Sequence, residues 1–196
     1  MRRLFWTAVL GYLIGTFPSA DLASRLATGG KVDLREAGSG NPGAANAMRE
    51  LGKRWGLFVM VADIGKGAIG ALVGRVLAGP TGGMVAGTAV VTGHIVPVWT
   101  GFRGGKGVST AAGASLTLFP PAFPLEASVV SLGTKVANPA RGIEVAAGVW
   151  VLAALLWWWR KWPNAWGLQP GIRLLAFTVA SSLVMMAKLR QPGRIA

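Results

Sequence analysis

Long apolar stretches, interrupted by few charged residues, dominate this sequence of 196 residues. Hydrophobic residues make up 52% of the chain and charged residues 14%, whereas a soluble domain carries about 25% charged residues. So few charges cannot cover the surface of a globule of this size, and the chain is far too apolar for disorder. One membrane-crossing helix takes roughly 20 residues. We therefore expect a single domain over residues 1–196 that is all-α and integral to the membrane, a bundle of about seven transmembrane segments, some short or broken.

The residue types that are scarce exclude several kinds of chemistry. The chain has no Cys and one His, which excludes disulfides, thiol catalysis and Cys-ligated metals and leaves no multi-histidine metal site. We expect neither a metal nor a cofactor. A net charge of +13 suggests nucleic acid as an alternative partner, but in so apolar a chain the positive-inside bias of membrane proteins explains it. We expect a lipid bilayer around the chain and no nucleic acid, with part of the charge free for an anionic substrate.

The apolar stretches predict the order of the spans. A first span at Leu4–Leu26 precedes a polar loop, and prolines near residue 120 divide Gly107–Thr134 into two short or broken helices. The other expected spans are Trp55–Leu77, Met84–Trp99, Glu144–Trp159 and Ile172–Leu189.

The distribution of Lys and Arg predicts an orientation. Residues 25–54 hold six basic and three acidic side chains, and the turn Arg103–Lys106 and the C-terminal tail are also basic. These segments are expected on the cytoplasmic side. The uncharged link Ala78–Gly83 is expected outside, together with the N-terminus. Basic residues next to the N-terminus and after the Glu144–Trp159 span do not fit this arrangement.

The first polar loop reads Gly-Ser-Gly-Asn-Pro-Gly-Ala-Ala-Asn at residues 38–46. It matches the dinucleotide pattern G-x-G-x-x-G, but that pattern requires a preceding strand, and here a helix precedes the loop. The loop instead offers glycines that let a ligand approach the backbone N–H groups, neutral donors, and an arginine able to clamp a phosphate. The alternative is a flexible surface turn. The residues concerned are Gly38, Ser39, Gly40, Asn41, Gly43, Asn46 and Arg49.

A second glycine-rich loop, Gly104-Gly105-Lys106-Gly107, lies where a helix is expected to begin. It lacks the spacing of a nucleotide-binding P-loop, so ATP hydrolysis is not expected. A helix N-terminus with free N–H groups still binds anions, and Arg103 and Lys106 add positive charge. His94 precedes this loop. Its side chain has two alternative roles: a hydrogen bond between packed helices, or a part in the site.

Two ionisable residues lie inside the second span. Asp63 and Lys66 are spaced i to i+3, so they share a helix face and can pair. Ionisable groups at membrane depth face a bundle interior or a polar cavity. Two roles are equally open for this pair: an ion pair that stabilises helix packing, or support of a functional site. Two basic, glycine-rich loops on one face of an apolar bundle suit a reaction between a phosphorylated polar molecule and a lipid.

These motifs together resemble the bacterial acyl-phosphate:glycerol-3-phosphate acyltransferases. The resemblance is carried by GSGNPGAAN with Arg49, by ADIGKG, and by GHIVPV followed by FRGGKGV, in this order over Tyr12–Val108. It implies a multi-pass enzyme that moves a fatty acyl group from acyl phosphate to the 1-hydroxyl of glycerol 3-phosphate, giving lysophosphatidic acid and phosphate. It also implies the bacterial inner membrane with a cytoplasmic active site, and a soluble enzyme that supplies acyl phosphate.

The resemblance also assigns roles to residues. Lys106, Arg49, Ser39 and Asn41 are expected to act in catalysis. Phosphate binding is expected from a larger set: Gly38, Gly40, Gly43, Asn46, Arg103, Gly104, Gly105 and Gly107. Beyond the resemblance, His94, Asp63 and Lys66 are candidates for supporting roles, and Asn138 and Arg141 are candidate donors in place of family residues that this chain lacks.

The C-terminal part departs from the family pattern. The usual Ser-containing turn is replaced by residues 134–141, and the last motif, with its His and Asn, is absent near Lys188 and Arg190. A divergent paralogue with another acceptor or donor is therefore an alternative. A non-catalytic anion transporter or scaffold is another, although transporters show duplicated halves and this chain has no convincing repeat.

Overall fold

The computed structural model describes residues 1–125 and 139–190. Those two ranges contain helices and connecting loops and no strand. The α-helices are α1 (Arg2–Gly15), α2 (Ser19–Thr28), α3 (Ala44–Glu50), α4 (Lys53–Ile95), α5 (Val108–Leu118), α6 (Pro139–Arg160) and α7 (Ile172–Leu189), with a 3₁₀ turn at Val98–Thr100. The expected all-α membrane bundle is confirmed.

Helix α4 is a hairpin of two arms rather than one rod. Its backbone leaves helical geometry at Ala78 and Gly79, where Gly79 has φ 63°, and Pro80 starts the second arm, a position where its missing N–H costs nothing. The arms, 53–77 and 80–95, pack so closely that a methyl group at Gly74 would overlap Ala86. The predicted link at Ala78–Gly83 is confirmed in position, and the helix resumes earlier than predicted.

Helix α1 packs along the second arm of α4 through glycines. A methyl group at Gly11 would lie 2.7 Å from the carbonyl oxygen of Ala86, and one at Gly15 would overlap the carbonyl of Val90. Both contacts advance in the same direction along the two helices, so α1 and the second arm are parallel. The N-terminus therefore lies at the same end of the bundle as Pro80.

The predicted first span at Leu4–Leu26 is wrong as a single helix. The structure has α1 and α2 in its place, separated at residues 16–18. Pro18 has no N–H to donate and disfavours helical geometry in the residue before it. With 14 residues, α1 is shorter than the roughly 20 residues of a usual crossing.

Three helical segments of the described chain are long and apolar enough to cross a membrane: Lys53–Thr100, Ala140–Arg160 and Ile172–Leu189. The last matches its predicted bounds, whereas α6 extends beyond Glu144–Trp159 at both ends. Helix α5 ends before the prolines, as the predicted break requires. The second half of the Gly107–Thr134 stretch lies outside the described residues from residue 126 onward.

Aromatic side chains fill the core between α5, α6 and α7. Trp150 and Phe177 meet edge to face with ring centroids 5.2 Å apart, and both are fully buried. The loop after α6 closes the Pro80 end, where the Leu168 N–H donates to the carbonyl of Leu118 at 2.8 Å and Arg173 Nε donates to Thr81 at 3.0 Å. The glycine-rich loops consequently lie at the opposite end.

Candidate functional site

Side chains of α1 attach the segment after α4 to the bundle. The Tyr12 hydroxyl donates to the carbonyl of Val96 at 2.9 Å, and Trp99 Nε1 donates to the Thr16 hydroxyl at 2.8 Å. These bonds join residues more than 80 positions apart in the chain. They hold the start of the second glycine loop beside the break between α1 and α2.

Arg35 joins the two glycine loops. Its guanidinium binds Asp21 in a bidentate pair at 2.6 and 3.0 Å, and its Nε donates to the carbonyl of Arg103 at 2.7 Å. Burial opposes the charge, but hydrogen bonds and charge from Asp21 and Asp33 raise the pKa of Arg35 above its ordinary value. Arg35 was not among the predicted site residues, because its partners lie on α2 and on the other loop and leave no local pattern in the sequence.

Asn46 organises the first glycine loop from inside. This fully buried side chain accepts from the Ser39 N–H at 2.9 Å. It donates to the carbonyls of Leu34 at 3.0 Å and Ala37 at 2.9 Å. The structure therefore commits the Asn46 amide to the loop, while Gly38, with φ 58°, allows the turn around it.

Replacing Asn46 by alanine is expected to lower the free energy of unfolding by about 2 kcal/mol, because it leaves buried backbone groups without partners. Thermal unfolding in detergent measures the change. Asn41→Ala, in the same loop and half-buried, is the matched control and should cost about 0.5 kcal/mol. Equal losses in the two variants would contradict the role given to Asn46.

Exposed donors remain on the outer side of this loop. Ser39 and Arg49 are exposed and Asn41 is half-buried. Lys106, on the second loop, is also half-buried. Burial and the nearby charge of Arg49 lower the pKa of Lys106. The structure thus brings within electrostatic range two cations, Arg49 and Lys106, that are 57 residues apart in the sequence.

The glycines of the second loop are required by close packing. The Gly104 N–H donates to the carbonyl of Ile95 at 3.1 Å. A methyl group at Gly104 would overlap the carbonyl of His94, and one at Gly105 would overlap His94 Nε2. Gly107, with φ 86°, starts α5. The loop backbone therefore lies directly against the end of α4.

A buried polar cluster lies beneath this loop. Asp63 Oδ1 accepts from the Ser19 hydroxyl at 2.5 Å, pairs with Lys66 Nζ at 2.9 Å and lies 3.5 Å from His94 Nδ1. Lys66 Nζ also donates to the carbonyl of Phe17 at 3.0 Å. The predicted pairing of Asp63 with Lys66 is confirmed within one helix. Ser19, which comes from α2, was not among the predicted site residues.

Two cavities meet at this cluster. A polar cavity of about 20 Å³, room for roughly one water, is lined by His94, Gly104, Gly105 and other residues of both loops. An apolar groove of about 690 Å³ runs between α1 and the first arm of α4. The residues that line both are Thr16, Phe17, Pro18 and Lys66.

Comparison with known proteins decides the family. The sequence model described as glycerol-3-phosphate acyltransferase matches residues 5–195. A glycerol-3-phosphate acyltransferase of Pseudomonas paraeruginosa strain PA7 is 39% identical over 179 residues, which is 91% of this chain and 88% of the relative. The chain belongs to the glycerol-3-phosphate acyltransferase family.

Two solved structures share the acyltransferase fold. Both are crystal structures of PlsY, an integral membrane glycerol 3-phosphate acyltransferase. The glycerol 3-phosphate form is 28% identical, with a TM-score of 0.75, and the match covers 94% of this chain and 87% of that one. The lysophosphatidic acid form is 26% identical, with a TM-score of 0.76, covering 95% and 88%. This chain is thus an integral membrane member of the family.

The remaining predicted site residues of this acyltransferase that the structure describes do not line the two cavities. Arg103 is exposed and reaches Glu36 at 3.5 Å, while Arg141 is exposed in the first turn of α6. Asn138 lies outside the described residues. Lys188 is within electrostatic range of Arg103 and His94, so the C-terminal end of α7 approaches the loops. Within residues 1–125 and 139–190, no cluster of three or more His, Asp or Glu side chains suits a metal.

Proposed function

We propose that this protein transfers a fatty acyl group from acyl phosphate to the 1-hydroxyl of glycerol 3-phosphate, producing lysophosphatidic acid and phosphate. One observation carries the proposal: a polar cavity beneath two cationic glycine loops shares a wall with an apolar groove. The groove can take an acyl chain, and the cationic loops over the small cavity can bind a phosphorylated acceptor next to it. Family membership and the glycerol 3-phosphate and lysophosphatidic acid forms of PlsY support the same acceptor and product.

The cationic loops suit the substrate phosphates. Arg49 can bind a phosphate through two N–H groups, and Lys106 adds a compact positive charge within electrostatic range of it. The Ser39 hydroxyl, the Asn41 amide and the backbone of Gly38, Gly105 and Gly107 supply neutral donors. The N–H groups of Gly40, Gly43 and Gly104 already donate to carbonyls of the protein, so these glycines shape the loops. The N-terminus of α5 points its free N–H groups toward the same end. Arg103 lies at the rim of this surface.

The reaction needs positioning more than it needs a strong base. Acyl phosphate is an activated mixed anhydride, so the barrier lies in bringing two anions together and stabilising the charge that develops. The 1-hydroxyl oxygen bonds to the carbonyl carbon, and the bond from that carbon to the phosphate oxygen breaks. The departing phosphate takes the hydroxyl proton. No protein thiol or metal enters this scheme.

The donor is tested with purified protein, glycerol 3-phosphate and either palmitoyl phosphate or palmitoyl-CoA. Lysophosphatidic acid from palmitoyl phosphate alone supports the proposal. Product from palmitoyl-CoA alone would contradict the donor. Absence of product from both, with phosphate flux in liposomes that carry the protein, would favour a transporter instead.

Activity is expected to fall at alkaline pH. Burial and Arg49 lower the pKa of Lys106, so its positive charge is lost at a lower pH than that of an ordinary lysine as the pH rises. The profile of kcat/KM, which reports the free enzyme, should therefore decline at a lower pH than the titration of an ordinary lysine would give. Lys106→Arg should move this decline to higher pH, because a guanidinium stays protonated. Lys31→Arg, on an exposed side chain, is the control and should leave the profile unchanged.

The cellular setting follows from the same proposal. We place the protein in the bacterial inner membrane, with the glycine loops on the cytoplasmic side, where basic loops concentrate. Because acyl phosphate is reactive and has a long apolar chain, a soluble enzyme that makes it is the expected partner at the basic face. The absent C-terminal His and Asn motif keeps a paralogue with another acceptor as the second candidate, which assays with other polyol phosphates would detect.

A further inference from the structure

Lys66 occupies the junction between the two cavities. It lines the polar cavity together with His94, Gly104 and Gly105, and it lines the apolar groove together with Leu13 and Ile69. An acyl chain in the groove would bring its activated head group to this junction. The position therefore corresponds to the carbonyl end of an acyl donor rather than to the acceptor phosphate.

The ammonium group of Lys66 has a donor to spare. Lys66 is 6% exposed, and a protonated lysine has three N–H donors. Among the contacts of the described residues, one N–H serves Asp63 at 2.9 Å and a second serves the carbonyl of Phe17 at 3.0 Å. The third is available to a ligand at the junction.

The surrounding cluster holds this ammonium in one place. Asp63, 1% exposed, is held by the Ser19 hydroxyl at 2.5 Å and lies 3.5 Å from His94 Nδ1. A buried ion pair contributes little net stability, because the cost of removing both charges from water offsets their attraction. Ionisable residues within a membrane span are typically functional. A fixed ammonium at the junction of the two cavities suits catalysis, since it needs no rearrangement during the reaction.

We propose that Lys66 is a catalytic residue that donates its third N–H to the carbonyl oxygen of the acyl donor. This role rests on the proposed function. When the acceptor hydroxyl oxygen bonds to the carbonyl carbon, the carbonyl oxygen becomes an alkoxide, and the ammonium stabilises that negative charge. The carbonyl then re-forms as the bond to phosphate breaks, and phosphate leaves with the bonding electrons and the hydroxyl proton. Asp63, Ser19 and His94 are positioning residues that act through Lys66.

The test separates the acyl end of the site from the phosphate end. In Lys66→Met, kcat for palmitoyl phosphate at saturating glycerol 3-phosphate should fall by about 100-fold or more, the usual effect of losing an oxyanion donor. The dissociation constant of glycerol 3-phosphate, measured by calorimetry, should stay within about threefold. Asp63→Asn should lower kcat by a smaller factor, also with little change in acceptor affinity. Lys53→Met, an exposed lysine of the same helix, should match the wild type.

Two outcomes overturn the assignment of Lys66. One is a kcat within about threefold of wild type, and the other is a loss of glycerol 3-phosphate affinity as large as the loss of kcat, which would make Lys66 an acceptor ligand. If Lys66→Met fails to fold because Asp63 is left unpaired, the neutral pair Asp63→Asn with Lys66→Met gives the same readout. An inactive wild type with both acyl donors would overturn the proposed function itself, and this role with it.

Discussion

Alanine in place of Lys106 is expected to reduce kcat/KM for glycerol 3-phosphate by about 100-fold or more. The ammonium lies within electrostatic range of Arg49, so the two charges can act on one substrate phosphate, and the loss of one such charged donor typically costs a factor of 10² to 10³. Arg49→Ala should have an effect of similar size. Steady-state rates with palmitoyl phosphate, at varied glycerol 3-phosphate, measure both variants.

The double variant and a surface control make this expectation specific. If Arg49 and Lys106 bind the same phosphate, their losses should not add, because residues that act as a unit are non-additive. Lys31→Ala, an exposed lysine at the same end of the molecule, should stay within about twofold of wild type. Full activity in both single variants would remove these residues from the site.

Leucine at Gly67 is expected to destabilise the bundle by about 3 kcal/mol or more, the upper range for overpacking. At this position the first arm of α4 crosses α5 backbone to backbone. A methyl group there would overlap the carbonyl of Thr110, and one at Gly113 would overlap the carbonyl of Ile64. Thermal unfolding in detergent and the yield of monodisperse protein measure the effect.

Gly65→Leu is the matched control on the same helix. A Cβ at Gly65 meets no atom within 4 Å, so leucine there should leave the unfolding temperature nearly unchanged. Because leucine forms helices more readily than glycine, equal destabilisation by the two substitutions would contradict the crossing with α5 as the reason that Gly67 is required. The control concerns stability alone, because Gly65 also lines the apolar groove.

Local features of this protein could be predicted from its sequence. The apolar run at Ile172–Leu189 predicts a helix with the observed bounds, because length and composition suffice to define a span. The glycines and Pro80 predict the link between the two arms of α4, since both residue types interrupt helices. The i to i+3 spacing predicts the ion pair of Asp63 with Lys66, as it depends on helix geometry alone.

Features that join distant segments could not be predicted in this way. Ser19 and Arg35 carry no local signal, and their partners, Asp63 and Arg103, are 44 and 68 residues away. The prediction of a single span at Leu4–Leu26 was wrong, because it followed the apolar content of the segment and gave too little weight to Pro18, which interrupts a helix. The role of Asn46 within its loop could not be predicted either, because the sequence does not distinguish an asparagine that is buried in the loop from one that binds substrate.

The sequence by itself determined the membrane class of this protein, the placement of most helices and the family motifs, because hydropathy, turn residues and helix spacing are local properties. Only the tertiary structure decided that Arg49 lies within electrostatic range of Lys106, that Arg35 joins the two loops, and that Lys66 lies where a polar cavity meets an apolar groove. Those relations depend on how α1, the two arms of α4 and α5 pack through their glycines. Packing is a property of surfaces that come together only when the whole chain has folded.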